Sequence, residues 1–510
     1  MTLGWDEPVI KLDLRLNLDV EVTASSAGMQ EQLRVPQSNG VNRMTETLQA
    51  TKSTYRTQNP TTGEIVETFN TTSDAEIETV LAKSQSAYET WSARPMSERG
   101  AILHKVADLF DEKSPELARI AAEEMGKPII ESKYEIAICS QILRYYADEG
   151  EKLTQDQEIR NFDGTRAVIQ RLPLGPLLGV MPWNFPYYQI IRFAAPNLML
   201  GNTIVMKPAN ICAASALILE EMMREAGVPE GAYQTVFTTH DQISEIIADP
   251  RIHGISLTGS ERAGSIIAEQ AGRHLKKVVL ELGGSDPYII LSSDDIARAA
   301  RRAMLTRIRN TGQECASNKR IIVMDDIYDE FVTALVAEAE ALTPGDPLNP
   351  ERNNFFPVSS EAAANEIVAQ VQDAADNGAT VHTGGKRLDR PGYYVSPAVI
   401  TNITKDARAY YEEIFGPVAM VYRVSSEEEA VALANDSQYG LGGAVYSADT
   451  IQAERVANQL NVGMSHVNAF NVVGADLPFG GVKRSGYGRE LGPLGMDEFV
   501  NKRLFTVTEK

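Results

Sequence analysis

Between residues 177 and 291 the chain repeats one arrangement, a short apolar run followed by a bend and then a longer amphipathic stretch, and few folds satisfy that pattern. Residues 177–181, 203–206, 234–238, 254–257, 278–281 and 288–291 read as strands, with helices between most of them. The best of these helices starts at Asn210, a good N-cap, runs through Glu225 and stops at Gly227 and Pro229. Strand and helix alternation predicts a parallel sheet covered on both faces. A second alternating block spans 294 to about 480, with strands near 320–324 and 417–423 and helices near 329–342 and 360–377. Upstream, helical patterns fill about 73–150, and residues 58–64 form a turn between two short strand-like runs. The expectation is therefore an α/β chain of two domains in series with a ligand cleft between them. Residues 1 to about 50 are polar and aperiodic and read as a poorly packed extension, with Met44 as an alternative start.

Composition narrows the function. The net charge of −21 and the lack of a basic stripe argue against nucleic acid and anionic membrane surfaces as partners. No run of 18 apolar residues exists, and the most apolar region, 172–206, is broken by Pro173, Pro176, Pro182, Pro186, Arg192 and Pro196, so no membrane span is expected. The first residues lack a secretory layout, and Cys139, Cys212 and Cys315 are too few and too scattered for a disulfide framework. A reducing, cytoplasmic setting is expected.

Four segments could carry chemistry. Cys315 follows a glycine-containing bend and precedes a strand, which lets a thiol and its own backbone N–H face a cleft; its plainer role is that of a small buried hydrophobe. Glu281 ends a strand before two glycines and could serve as a general base, or be one more acidic loop residue among 69. Gly259, Ser260 and Gly264 lie where a strand turns into a helix, a place that suits phosphate, and Lys207 ends another strand; neither signal is specific by itself. Asn184 sits between Pro182 and Pro186 and could donate to a polarised carbonyl or only form a turn.

Taken together, the motifs PWNFP, LTGSERAG, LELGG, NTGQEC, EEIFGP and PFGGVKRSGYGRE, in this order and spacing, resemble the aldehyde dehydrogenase superfamily from about Tyr55 onward, and most of all its bacterial succinate-semialdehyde dehydrogenases. The resemblance implies Cys315 as nucleophile, Glu281 as general base, and Asn184 with the Cys315 N–H as oxyanion hole. It implies adenosine ribose near Lys207, pyrophosphate at Gly259, Ser260 and Gly264, nicotinamide ribose near Glu413 and Phe415, and Trp183 lining the same groove. Members strict for NAD carry a glutamate three positions after the lysine. Asn210 stands there and removes the repulsion of a 2′-phosphate, so NADP is the expected cofactor, with NAD the alternative.

For substrate, Arg192 and Arg309 match two arginines that hold a distal carboxylate in the succinate-semialdehyde enzymes, whereas Tyr187 and Tyr188 could instead form an aromatic wall. The bland alternative for both arginines is a salt bridge within the scaffold. The loop 469–476 lacks the serine such sites often use, which keeps other semialdehydes and medium-chain or aromatic aldehydes open. Ser317 stands where some relatives carry a second cysteine, so a disulfide switch is not expected. A non-catalytic member of the fold would lack Cys315 or Glu281, and a CoA-acylating member would lack the glutamate; both residues are present.

The resemblance further implies a Rossmann-like nucleotide-binding domain (51–150 and 175–283), a catalytic domain (284–485), and a small β-ribbon oligomerisation arm (151–174 and 486–510). A homodimer or homotetramer is expected, with no metal.

Overall fold

The structure, a computed structural model, describes residues 55–162 and 164–509; the extension expected over residues 1–50 lies outside them. Helices Asp74–Trp91, Met96–Glu112, Ser114–Met125 and Ile129–Leu153 fill the predicted helical region. Their ends follow local chemistry: Ser73 and Glu76 form a reciprocal capping box, and Gly126 closes the third helix in the left-handed conformation.

Two sheets carry the architecture. The first has six strands in the order Gly486–Tyr487, Lys277–Glu281, Gly254–Thr258, Pro176–Val180, Thr203–Lys207, Tyr233–Thr235, parallel except for the short edge strand Gly486–Tyr487. The chain builds outward from Pro176–Val180 on one side, then returns to build the other. A topological switch point therefore falls between Pro176–Val180 and Gly254–Thr258, where ligands of such sheets bind at the carboxyl ends of the strands. The second sheet has seven strands, centred on Arg320–Met324 between Val418–Val424 and Pro287–Ile290, and is parallel except for its edge pair Thr380–Thr383 and Ala398–Thr401. Central strands are buried along their length, as sheets covered on both faces require.

A third sheet of three antiparallel strands joins Gln157–Phe162, Thr165–Pro173 and Val500–Thr508, the last two in register from Val500 against Pro173 to Thr508 against Thr165. Two boundaries differ from the sequence expectation. Helix Ile129–Leu153 runs past 151, and Gly486–Tyr487 pairs with Lys277–Glu281 in the first sheet, so the C-terminal part of the ribbon is Val500–Thr508 rather than everything after 486.

Candidate active site

Six of the sequence candidates sit at the carboxyl ends of four first-sheet strands. Trp183 and Asn184 follow Pro176–Val180, Lys207 ends Thr203–Lys207, Gly259 and Ser260 follow Gly254–Thr258, and Glu281 ends Lys277–Glu281. From the second sheet, Cys315 precedes Arg320–Met324, while Glu413 and Phe415 precede Val418–Val424. Hydrogen bonds tie the two rims. Asn184 Nδ2 donates to the Gln313 carbonyl at 3.0 Å, Asn310 Nδ2 donates to the Asn184 carbonyl at 2.9 Å, and the Gly284 N–H donates to Glu413 Oε1 at 3.2 Å.

The bend before Cys315 is tight. Asn310, Thr311 and Gly312 all have positive φ, and a Cβ on Gly312 would lie 2.3 Å from the Gly416 carbonyl oxygen, so this turn demands glycine there. Arg307, fully buried, clasps the bend from below: it donates to the carbonyls of Gly312 and Ile414 at 3.1 and 2.9 Å and to Ser317 Oγ at 3.0 Å. Buried Lys319 donates to the carbonyls of Glu314 and Cys315, each at 2.7 Å, and pairs with Glu413 Oε1 at 2.9 Å. Sequence reasoning gave neither cation a role; Arg307 ends helix Ile296–Arg307 and Lys319 precedes strand Arg320–Met324, and only the fold reveals how many carbonyls each collects.

Cys315 lines a cavity of about 560 Å³ together with Tyr188, Arg192, Arg309, Phe185 and Phe479. Burial pushes its thiol up to about 12, against the opposing pull of Arg192 and Lys319. Glu281 is buried and both carboxyl oxygens lack a hydrogen-bond partner among the described residues. Burial raises its pKa well above the usual carboxylate range, with Arg192 acting in the opposite sense. A buried carboxyl without partners is costly, and such groups mark sites where a proton moves.

Arg192 is brought to this cavity, but its side chain is fully buried and its Nε pairs with Glu490, whose Oε1 accepts from Ser256 Oγ at 3.2 Å. The guanidinium also lies 4.3 Å from the Phe479 ring centre and 5.1 Å from that of Tyr188. The scaffold salt bridge considered from sequence is present. Glu490 was quoted within a motif but given no role. Arg309, half exposed, faces Glu314 at 3.5 Å. Asn471 lines the same cavity from the loop that lacks the expected serine, and its Oδ1 is buried without a partner among the described residues.

A second constellation surrounds the switch point. Ser260 caps helix Glu261–Arg273, accepting from the Ala263 N–H, while Glu261 turns aside to Arg484 at 2.8 Å. A Cβ on Gly259 would meet only the Leu257 side chain, at 3.7 Å, so the backbone there lies open to approach. Gly264 differs from expectation: it is buried, and a Cβ would lie 2.7 Å from Leu282, so its smallness serves helix-to-strand packing. Lys207 Nζ donates to Asn210 Oδ1 at 3.2 Å, and burial lowers its pKa to about 8. Asn210 is not the helix cap the sequence suggested. The helix begins at Ala213 after Cys212, and Glu124, from helix Ser114–Met125, accepts the Ala214 and Ser215 N–H groups at 2.7 and 3.2 Å. The Trp183 and Phe415 rings stand edge to face at 5.7 Å. An open glycine turn, a long helix's free N–H groups and a cation at the carboxyl ends of first-sheet strands, with two aromatic rings packed edge to face after one of them, fit a dinucleotide.

Comparison with known proteins agrees with this geometry. Residues 47–505 match the aldehyde dehydrogenase family profile. The chain belongs to the aldehyde dehydrogenase family. Among its members, the chain is 51% identical over 464 residues to a Deinococcus radiodurans protein named succinate-semialdehyde dehydrogenase [NADP(+)], covering 90% of this chain and 97% of that one. A Mycobacterium tuberculosis protein of the same name is 41% identical over 447 residues, 87% of this chain and 98% of its own. The crystal structure of Streptococcus pyogenes succinic semialdehyde dehydrogenase in complex with NADP+ superposes with a TM-score of 0.87 at 42% identity, covering 89% of this chain and all of that one. The Staphylococcus aureus betaine aldehyde dehydrogenase with NAD+ superposes at 0.86 and 32% identity, over 89% and 91% of the two chains. Among the described residues, no helix is long and apolar enough to cross a membrane and no cluster of side chains would hold a metal ion.

Proposed function

We propose that this aldehyde dehydrogenase oxidises succinate semialdehyde to succinate with NADP as hydride acceptor, through a thioester on Cys315. The observation that carries it is the cavity in which Cys315 faces Arg309 and Arg192, supported by relatives bearing that name at up to 51% identity. Cys315 Sγ passes its proton to water and attacks the aldehyde carbon, and the resulting alkoxide is held by Asn184 Nδ2 and the Cys315 N–H. When bound, the oxidised nicotinamide supplies the hydride acceptor and a positive charge beside the thiol. Glu281 then takes a proton from water as the hydroxyl adds to the thioester carbonyl; the S–C bond breaks and the acid leaves.

Lys207 with Asn210 supports NADP. A pKa of about 8 leaves the ammonium charged at neutral pH, and its neighbour three residues on carries no charge to repel a 2′-phosphate. Trp183, Gly259, Ser260, Glu413 and Phe415 would hold the remainder of the dinucleotide. Gly264 would act only by bringing its helix close. The three-stranded sheet, with two free edges, would join copies into a homo-oligomer, and the charge and cysteine usage suit the cytoplasm.

Steady-state kinetics on a panel of acid-tailed, neutral and aromatic aldehydes with both nicotinamides test this reading. Succinate semialdehyde with NADP should give the highest kcat/KM. A neutral aldehyde preferred over it, or NAD preferred over NADP, would overturn the corresponding half.

A further inference from the structure

Three carboxylates line the cavity that the reaction above does not use, and two of them, Glu131 and Glu135, accept backbone N–H groups. Glu314, the residue before the nucleophile, has a side chain only 6% exposed, lines the cavity, and its Oε1 has no hydrogen-bond partner among the described residues. Its Oε1 stands 3.5 Å from Arg309 Nη2, a charge contact too long for a good hydrogen bond. Arg309 is the more available of the two cavity arginines, because its side chain is 48% exposed whereas Arg192 is wholly buried against Glu490. The neighbouring Glu131 is turned to the backbone, its Oε2 accepting the Asn310 N–H at 2.6 Å. Glu314 is thus the carboxylate placed to contend with an incoming anion for Arg309.

We propose that Glu314 is a specificity-determining residue: its carboxylate occupies Arg309 in the free enzyme, is displaced by the distal carboxylate of the substrate, and so limits the preference for acid-tailed over neutral aldehydes. This rests on the acid-tailed substrate proposed above. A guanidinium fork binds one carboxylate well. When the substrate replaces Glu314, one ion pair is exchanged for another and the displaced carboxylate stays nearby as a like charge, so much of the attraction cancels. A neutral aldehyde displaces nothing and is spared this opposition. Glu314 therefore holds down the advantage of the acid-tailed substrate.

The test is Glu314→Gln, which keeps shape and removes charge, assayed with succinate semialdehyde and with butanal, a neutral four-carbon aldehyde. The quantity read is the ratio of their kcat/KM values with NADP. Both come from one preparation, so any loss of folded enzyme cancels. The ratio should rise about tenfold, through a lower KM for succinate semialdehyde. Arg309→Gln should collapse it, and Glu314→Gln added to Arg309→Gln should change it no further. A ratio unchanged or lowered by Glu314→Gln, or still raised in the absence of Arg309, overturns the proposal. A ratio unmoved by Arg309→Gln overturns the acid-tail reading itself, and the role of Glu314 with it.

Discussion

Cys315 is half-buried on the cavity wall and Glu281 is buried, and burial favours the neutral form of each acid. With its pKa at about 12, the thiol loses a factor of ten in thiolate for each unit of pH below that value. Iodoacetamide labelling of Cys315 without nicotinamide should therefore be slow at pH 7 and climb roughly tenfold per unit to pH 10 without a plateau. Peptide mapping keeps it apart from the buried Cys139 and Cys212. A plateau below pH 9 would mean that the chain activates its own thiol. Glu281, by contrast, is proposed to act only after the thioester exists. Glu281→Gln should release one equivalent of NADPH per active site in a burst, then turn over about 10²–10⁴-fold more slowly. Equal slowing of burst and steady state would place the glutamate in thiol activation instead.

Helix Ile129–Leu153 is the element that fixes the end of the loop carrying Asn184. Glu135 on it accepts the Tyr187 and Tyr188 N–H groups at 2.7 and 3.0 Å and is paired with Lys127, which lies 3.5 Å from the Phe185 ring centre. Both charged side chains are fully buried. Glu135→Gln keeps an oxygen for the two N–H groups but strands the ammonium, which should cost about 3 kcal/mol in urea unfolding. Loss under 1 kcal/mol would show that Lys127 finds another partner. None of this could be read along the chain. Strands and helices were legible because their periods and caps are local: Gly227 ends its helix in the left-handed conformation where Gly and Pro predicted a stop. Asn210 misled as a cap because the acceptor for those N–H groups is Glu124, 90 residues away. Gly264 misled because a small residue facing Leu282 looks, in sequence, like one facing a phosphate.

For the whole molecule, the two strand blocks became two sheets whose rims hold the candidate site residues, and among the described residues each outer strand of the third sheet pairs with a strand on one side only. Exposed edges invite a partner strand. Here the invitation is apolar as well: Ile159, Leu504, Phe505 and Val507 are exposed by 56, 64, 39 and 38% on this ribbon. A chain of net charge −21 repels its copies at long range, so an assembly must be held by backbone pairing and apolar burial rather than by charge attraction. Leu504→Lys combined with Val507→Lys adds buried ammonium groups to such a contact while leaving the pairing of Val500–Thr508 with Thr165–Pro173 intact within the subunit. Light scattering after size exclusion should then show the assembly falling toward the mass of one chain, with a melting temperature near that of the parent protomer. An unaltered assembly mass would move the interface elsewhere, and a parent protein already monomeric would remove the need for one.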